Sequence, residues 1–155
     1  MVPQELLKLF TSMKIEIKTY ETEISPPKEL IGLLQKKYSK QKNFDYFLND
    51  YKTAFVFCAK NENMQFRPIA LFLGKEMVAH AAIIKDNRLG PNEAFFGFFE
   101  TPNDLKIFNI LWHNLKTLAQ NLGINLIKGP INGSTWHQYR VIKQSDGSDF
   151  FRSEM

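Results

Sequence analysis

From Lys14 to Glu21 polar and apolar residues alternate, with Ile15 and Ile17, joined by Thr19, on one side and Lys and Glu on the other. That period of two predicts a half-buried strand. Before it, Leu6, Leu7 and Phe10 recur at roughly helical spacing, as in a short arm or an amphipathic helix. Ser25-Pro26-Pro27 reads as a helix start, with Ser25 as the N-cap candidate and proline in the first turn. Leu30, Leu33, Leu34 and Tyr38 then line one face to about Ser39, and Phe44, Phe47, Leu48 and Tyr51 repeat the spacing in a shorter second helix. The run from Ala54 to Lys60 is rich in strand formers and ends at the polar break Asn61-Glu62-Asn63. Strands are expected at 67–73 and Met77–Lys85, joined by the turn Gly74-Lys75-Glu76 and followed by a loop over 86–92. Antiparallel strands with short connections are the simplest layout. The pattern does not say how the 54–60 and 67–73 runs pair.

The stretch from Glu93 to Glu100 is almost continuously apolar, as in a strand covered on both faces. Gly97 in its middle marks either a bulge or a close backbone approach to a ligand, or it simply relieves packing between large Phe rings. Thr101-Pro102-Asn103-Asp104 opens a long helix, Thr101 capping and Pro102 in the first position. Its stripe is Leu105, Phe108, Leu111, Trp112, Leu115, Leu118, Ala119 and Leu122, and Gly123 stops it. Trp112 belongs to the core on this spacing, and His113 to the surface or its boundary. Ile124–Lys128 is the next strand, so strand, helix and strand suggest a right-handed crossover.

Composition narrows the class. The chain has 155 residues, 44% of them hydrophobic and 14 of them Phe, enough for one domain with a bulky, ring-rich core. The formal charge is +4, too little for a dedicated nucleic-acid binder. Its densest cationic cluster, Gln35 to Lys42, reads as a solvated helix end rather than a phosphate site. A single cysteine, Cys58, excludes an internal disulfide and falls in an apolar run as a core residue. The His and Cys residues are too scattered for zinc spacing, so no metal site is expected. No segment has the ~20 apolar residues of a membrane span. Without a secretory signal pattern at the N-terminus, a reducing, cytoplasmic setting is expected. No repeat, low-complexity segment or linker divides the chain.

The order strand, two helices, antiparallel strands, long helix, strand resembles the GNAT superfamily of acyl-CoA N-acyltransferases. Two signatures carry a closer resemblance to a bacterial branch of it: Phe-Gly-Phe-Phe-Glu at 96–100 before the long helix, and Gly-Pro-x-Asn-x-Ser-Thr from Gly129 to Thr135 after the next strand. The resemblance covers about residues 14 to 151. It implies an α+β fold of three layers, α/β/α, whose mixed, mainly antiparallel sheet has helices on both faces. A single domain over 1–155 is expected, lacking the last strands of the full fold and leaving a free sheet edge for a homodimer or a partner chain.

The resemblance further implies acyl-CoA or CoA as the cofactor. Its pantetheine arm would lie between strands 93–100 and 124–130 as they splay, and its pyrophosphate at the start of the long helix, where free N–H groups and the dipole favour an anion. On that implication Phe98, Phe99, Thr101, Asn103, Asn132, Ser134 and Thr135 are the binding candidates. The usual Arg/Gln-x-x-Gly-x-Gly/Ala loop is replaced here by Thr101-Pro102-Asn103-Asp104, in which Pro102 lacks an N–H and Asp104 brings a negative charge.

The segment after Gly129 is rich in cap and turn formers, so Asn132, Ser134 and Thr135 are also explained by a turn leading into a capped helix over 134–142. For chemistry, His137 has the near-neutral side chain suited to take a proton from an amine. Tyr139 would serve as acid to a leaving thiolate. Glu100, polar at the end of an apolar strand, is the alternative base. In a helix Tyr139 turns away from His137, so the two do not act as a pair. His80 is expected as a packed or edge residue. The first expectation for function is therefore direct acyl transfer from a CoA-type thioester to a small-molecule or peptide amine, with no covalent enzyme intermediate. The alternative is a non-catalytic or half-domain module acting by association, and nucleic-acid binding through Lys36 to Lys42 ranks last.

Overall fold

The computed structural model describes residues 14–20 and 24–133. In chain order the elements are β1 (Ile15–Thr19), α1 (Lys28–Tyr38), α2 (Phe44–Lys60), β2 (Met64–Leu73), β3 (Glu76–Asp86), β4 (Glu93–Glu100), α3 (Leu105–Asn121) and β5 (Leu126–Lys128). The sheet runs β1-β2-β3-β4-β5. Its first three pairings are antiparallel and β4–β5 is parallel.

Side-chain alternation along β2 and β3 sorts the core into two layers. Phe66, Ala70, Phe72, Met77, Ala82 and Ile84 face α1 and α2, where Leu30, Leu34, Phe47, Tyr51, Ala54 and Phe55 meet them. Ile69, Leu71, Ala79, Ala81, Ile83 and Ala94 face α3 through Ile107, Leu111, Leu115 and Ala119. The fold is α+β, a mixed and mainly antiparallel sheet between helices on both faces. Pro68, inside β2, does no damage to the ladder. Its carbonyl accepts from Tyr20 N at 3.0 Å, so its missing donor also faces the β1 side, where that strand has ended.

Several boundaries differ from the sequence pattern. Residues 54–60 are the last turns of α2 and not a strand. The buried positions Phe47, Tyr51, the pair Ala54 and Phe55, and Cys58 follow one another at helical intervals of three to four, while Phe57 between them stays 41% exposed. Strand 67–73 therefore pairs with both β1 and β3. In α1 the N-cap is Pro27, not Ser25, and no side chain caps it; the Pro27 carbonyl accepts from Leu30 N and Ile31 N. Among the described residues β1 is an edge with only Ile15 partly buried, and Ile17 is 41% exposed.

The long helix also starts later than its first proline suggests. Its N-cap is Asp104, whose carboxylate accepts from Lys106 N (2.9 Å) and Ile107 N (3.1 Å). That shift puts Ile107 on the buried stripe and leaves Leu105 75% exposed. Gly123 ends the helix at φ +74, as expected. Replacing Asp104 by Ala removes both cap bonds and is expected to lower stability by about 1 kcal/mol, read as a shift in the urea midpoint at unchanged slope.

Candidate functional site

The site is built around the last half of β4. Next to Gly97 the register breaks: Ala82 pairs with Gly97 but His80 pairs with Glu100, so Phe98 and Phe99 together stand opposite Ala81. Phe98 takes up the extra length in the left-handed region, φ 49, which a bulky aromatic residue rarely enters. Its ring packs edge-on against Tyr51, Phe55 and Phe66, at centroid distances of 5.2, 5.4 and 5.6 Å. Phe99 points to the opposite layer, against Phe108 and Trp112. Trp112 thus packs in the α3 layer as its spacing predicts, and His113 is exposed.

The parallel ladder between β4 and β5 covers only Glu93 to Phe95 against Leu126 to Lys128. Beyond it the two strands do not form an open gap among the described residues. Ile131 N donates to Phe96 O at 2.8 Å, and the Asn132 side chain accepts from Phe98 N at 2.6 Å. Two glycines allow this approach. A Cβ on Gly97 would stand 2.2 Å from the Ile131 carbonyl oxygen, and one on Gly129 would stand 2.3 Å from the Phe96 carbonyl oxygen. Gly97 therefore marks a close backbone approach, made by the chain itself, with a bulge directly after it.

Glu100 ends β4 on the α1/α2 side and is only 5% exposed. Its Oε2 accepts from Lys37 Nζ (2.9 Å) and from the Tyr38 hydroxyl (2.7 Å). Lys37 also donates to the Thr101 carbonyl at 3.1 Å, which ties the end of α1 to the exit of β4. Burial first, and then the neighbouring Glu100 carboxylate, hold the Tyr38 hydroxyl far above its ordinary pKa, so it stays a donor. The same two causes raise Tyr51, whose hydroxyl is buried with no partner among the described residues.

His80 completes the cluster. It is fully buried, and its Nδ1 lies 2.9 Å from the Phe98 carbonyl. Since a carbonyl only accepts, Nδ1 carries the hydrogen and Nε2 is the bare acceptor, and Nε2 has no partner among the described residues. Burial lowers the imidazole pKa to about 4, against a smaller upward effect of the Phe98 bond, so the ring is neutral near pH 7. Cys58 is buried, as its apolar run predicts, and burial pushes its thiol up to about 12.

Of the residues expected to act, Glu100 lies in this cluster, and Asn132 touches it through Phe98. The Phe98 backbone N–H and carbonyl are both taken by side chains. Thr101 and Asn103 sit in the turn before α3; the Thr101 hydroxyl donates to Pro102 O at 3.3 Å, and Asn103 is exposed. Asp104's own carboxylate occupies two donors of that helix's first turn, Lys106 N and Ile107 N. His137, Tyr139, Ser134 and Thr135 lie outside the described residues, as do the arm or helix expected around Leu6 to Phe10 and the helix expected at 134–142. Nothing local in the sequence marks Lys37, Tyr38 or Tyr51. Lys37 belongs to a cationic cluster that reads as a solvated end, and it meets Glu100 only through a contact 63 residues away. Among the described residues no group of His, Cys, Asp and Glu is placed to hold a metal ion, and no helix is long and apolar enough to cross a membrane.

Among solved structures, the chain is similar to the crystal structure of an aminoglycoside acetyltransferase from an uncultured soil metagenomic sample in complex with sisomicin. The identity is 12%, the match covers 74% of this chain and 75% of that one, and the TM-score is 0.48. No family model matches the chain, and no curated protein matches it.

Proposed function

We propose that the chain is a GNAT-like N-acyltransferase domain that moves an acyl group from a CoA-type thioester directly to an amine. One observation carries this reading. A buried carboxylate, Glu100, stands at the end of β4, next to the region where β4 and β5 stop pairing, and it is fixed there by Lys37 and Tyr38.

In this reading Glu100 takes the proton from the acceptor's ammonium, directly or through water. The freed amine then attacks the acyl carbonyl, a C–N bond forms, the C–S bond breaks, and the thiol leaves with a proton. Lys37 and the Tyr38 hydroxyl hold the carboxylate in place for the first step. The sequence also offers His137 as the base, to which Glu100 is the alternative, and Tyr139 as an acid to the thiolate, the two not acting as a pair.

The start of α3 does not fit a pyrophosphate as it stands. Asp104 already occupies two of its N–H donors, Lys106 and Ile107, with a carboxylate, Pro102 offers none, and two anions at one helix end repel. No step is therefore assigned to that end of a CoA molecule. A pantetheine arm would find the Phe96 carbonyl and the Phe98 N–H already taken by Ile131 and Asn132, so no step is assigned to those backbone groups either.

The test is thiol release from acetyl-CoA with and without a panel of small-molecule and peptide amines, beside calorimetric titration with acetyl-CoA. Amine-dependent release is expected, and Glu100→Gln is expected to lower it about 10²-fold, the lower range for loss of a general base. No heat of binding and no release at millimolar ligand would reject the reading. That result would favour a second one, a non-catalytic module acting by association, which the chain's own occupation of the β4–β5 parting supports.

A further inference from the structure

The bulge in β4 decides which layer of the protein Glu100 belongs to. In a regular ladder continuing from Ala82–Gly97, Phe98 would oppose Ala81, Phe99 would oppose His80, and Glu100 would oppose Ala79, whose side chain is packed in the α3 layer. Glu100 would then face α3. One extra residue reverses every side chain beyond it. With the bulge, Glu100 pairs with His80 and faces Lys37 and Tyr38 on α1.

The bulge depends on Phe98 staying left-handed, a conformation that resists a residue of this size. Both of its backbone groups are gripped by buried side chains from distant parts of the chain. Asn132 Oδ1 accepts its N–H at 2.6 Å, and His80 Nδ1 donates to its carbonyl at 2.9 Å. Asn132 and His80 are themselves only 5% and 0% exposed.

We propose that His80 and Asn132 are positioning residues: they clamp Phe98 in its left-handed conformation and so set the Glu100 carboxylate on the α1 side of the sheet. Neither residue acts on a substrate. His80 serves through its Nδ1–H, which leaves its bare Nε2 uninvolved. Asn132 stands in for the neighbouring strand at the place where β5 no longer runs beside β4. The effect on turnover rests on the acyltransferase reading, whereas the placement of Glu100 does not.

The test is zero-length carbodiimide cross-linking of the full chain, read by peptide mass spectrometry. The Lys37–Glu100 pair (2.9 Å) reports the clamp, and the Lys128–Glu93 pair (3.0 Å), at the other end of the same strand, is the internal control. His80→Leu and Asn132→Ala are each expected to lower the Lys37–Glu100 yield about tenfold, the scale of one lost buried hydrogen bond, and to leave Lys128–Glu93 unchanged. His80→Asn, which restores an N–H near the Nδ1 position, is expected to recover most of the yield.

An unchanged Lys37–Glu100 yield in both variants would overturn the proposal. So would a parallel fall of both cross-links that His80→Asn fails to restore, because the residues would then only hold the fold together. If the wild type turns over thioesters, the clamp variants should lower kcat as Glu100→Gln does while leaving KM within about twofold. If it does not, a selective loss of the Lys37–Glu100 link still supports the clamp while the acyltransferase reading falls.

Discussion

Lowering the pH from 7 to 4 is expected to remove roughly 3 kcal/mol of folding stability through His80 alone. In the unfolded chain the imidazole takes its proton near its ordinary pKa of 6.5, but in the folded protein burial delays protonation to about 4. Between those values the unfolded state binds more protons than the folded one, so stability rises with pH across the window. Above about 6.5 both states are neutral and the contribution is fully present. It is lost as pH falls toward 4, because the cation cannot be accommodated between Phe55 and the sheet without a partner for its second N–H. Glu100, its partner across the strands, faces the same layer but is held by Lys37 and Tyr38.

Urea unfolding at pH 7, 5.5 and 4 measures the effect as the difference between the wild type and His80→Asn, which cannot titrate there. The subtraction removes every contribution that the two proteins share. One of these is that of Asp86, whose carboxyl the Arg88 guanidinium keeps below its ordinary value of 3.8, so that its own contribution is lost at lower pH. Parallel pH curves for the two proteins would show that His80 is protonated without penalty in the folded state.

His80 also shows where local pattern stops being informative. Its strand is legible in the apolar run Met77 to Lys85, and so are β4, the stripe of α3 from Leu111 onward and the stop at Gly123, because each depends on residues within a turn or two of one another. The run Ala54 to Ala59 misleads for a local reason as well. Phe, Val and Phe suit either structure, and only the stripe begun at Phe47 and Tyr51 tells that the helix continues through them. Thr101-Pro102 resembles a helix start so closely that it hides the stronger cap three residues later, Asp104.

The candidate site is legible only in part, because its parts meet through register rather than through spacing. Glu100 stands out as a polar end to an apolar strand. The residues that hold it come from α1, and the bulge that turns it toward them lies within Phe95-Phe96-Gly97-Phe98-Phe99, where large rings on both faces conceal any change of phase. Gly97 was the visible trace of that event. Its reason, the passage of Ile131 and Asn132, lies 34 residues further on.

That passage makes Gly97→Ala a strongly disruptive small substitution. The added Cβ would lie 2.2 Å from the Ile131 carbonyl oxygen, 2.8 Å from its carbon and 2.9 Å from Asn132 Oδ1. The first two are backbone atoms, so no rotamer change can relieve the contact and the 131–132 segment has to move as a unit. Overpacking of this kind costs about 1–3 kcal/mol, and the backbone obstruction places the loss at about 3 kcal/mol or more. Moving the segment also withdraws Asn132 from Phe98 N, so the substitution acts on the bulge as well as on stability. Gly32→Ala is the matching control: it adds the same methyl to α1, where nothing lies within 4 Å, and is expected to stabilise by about 0.5–1 kcal/mol. Urea midpoints of the two variants against the wild type measure both effects. Equal stability of Gly97→Ala and the wild type would mean that residues 131 and 132 do not lie against β4 in solution, and with them would go the clamp on Phe98 and the fixed position of Glu100.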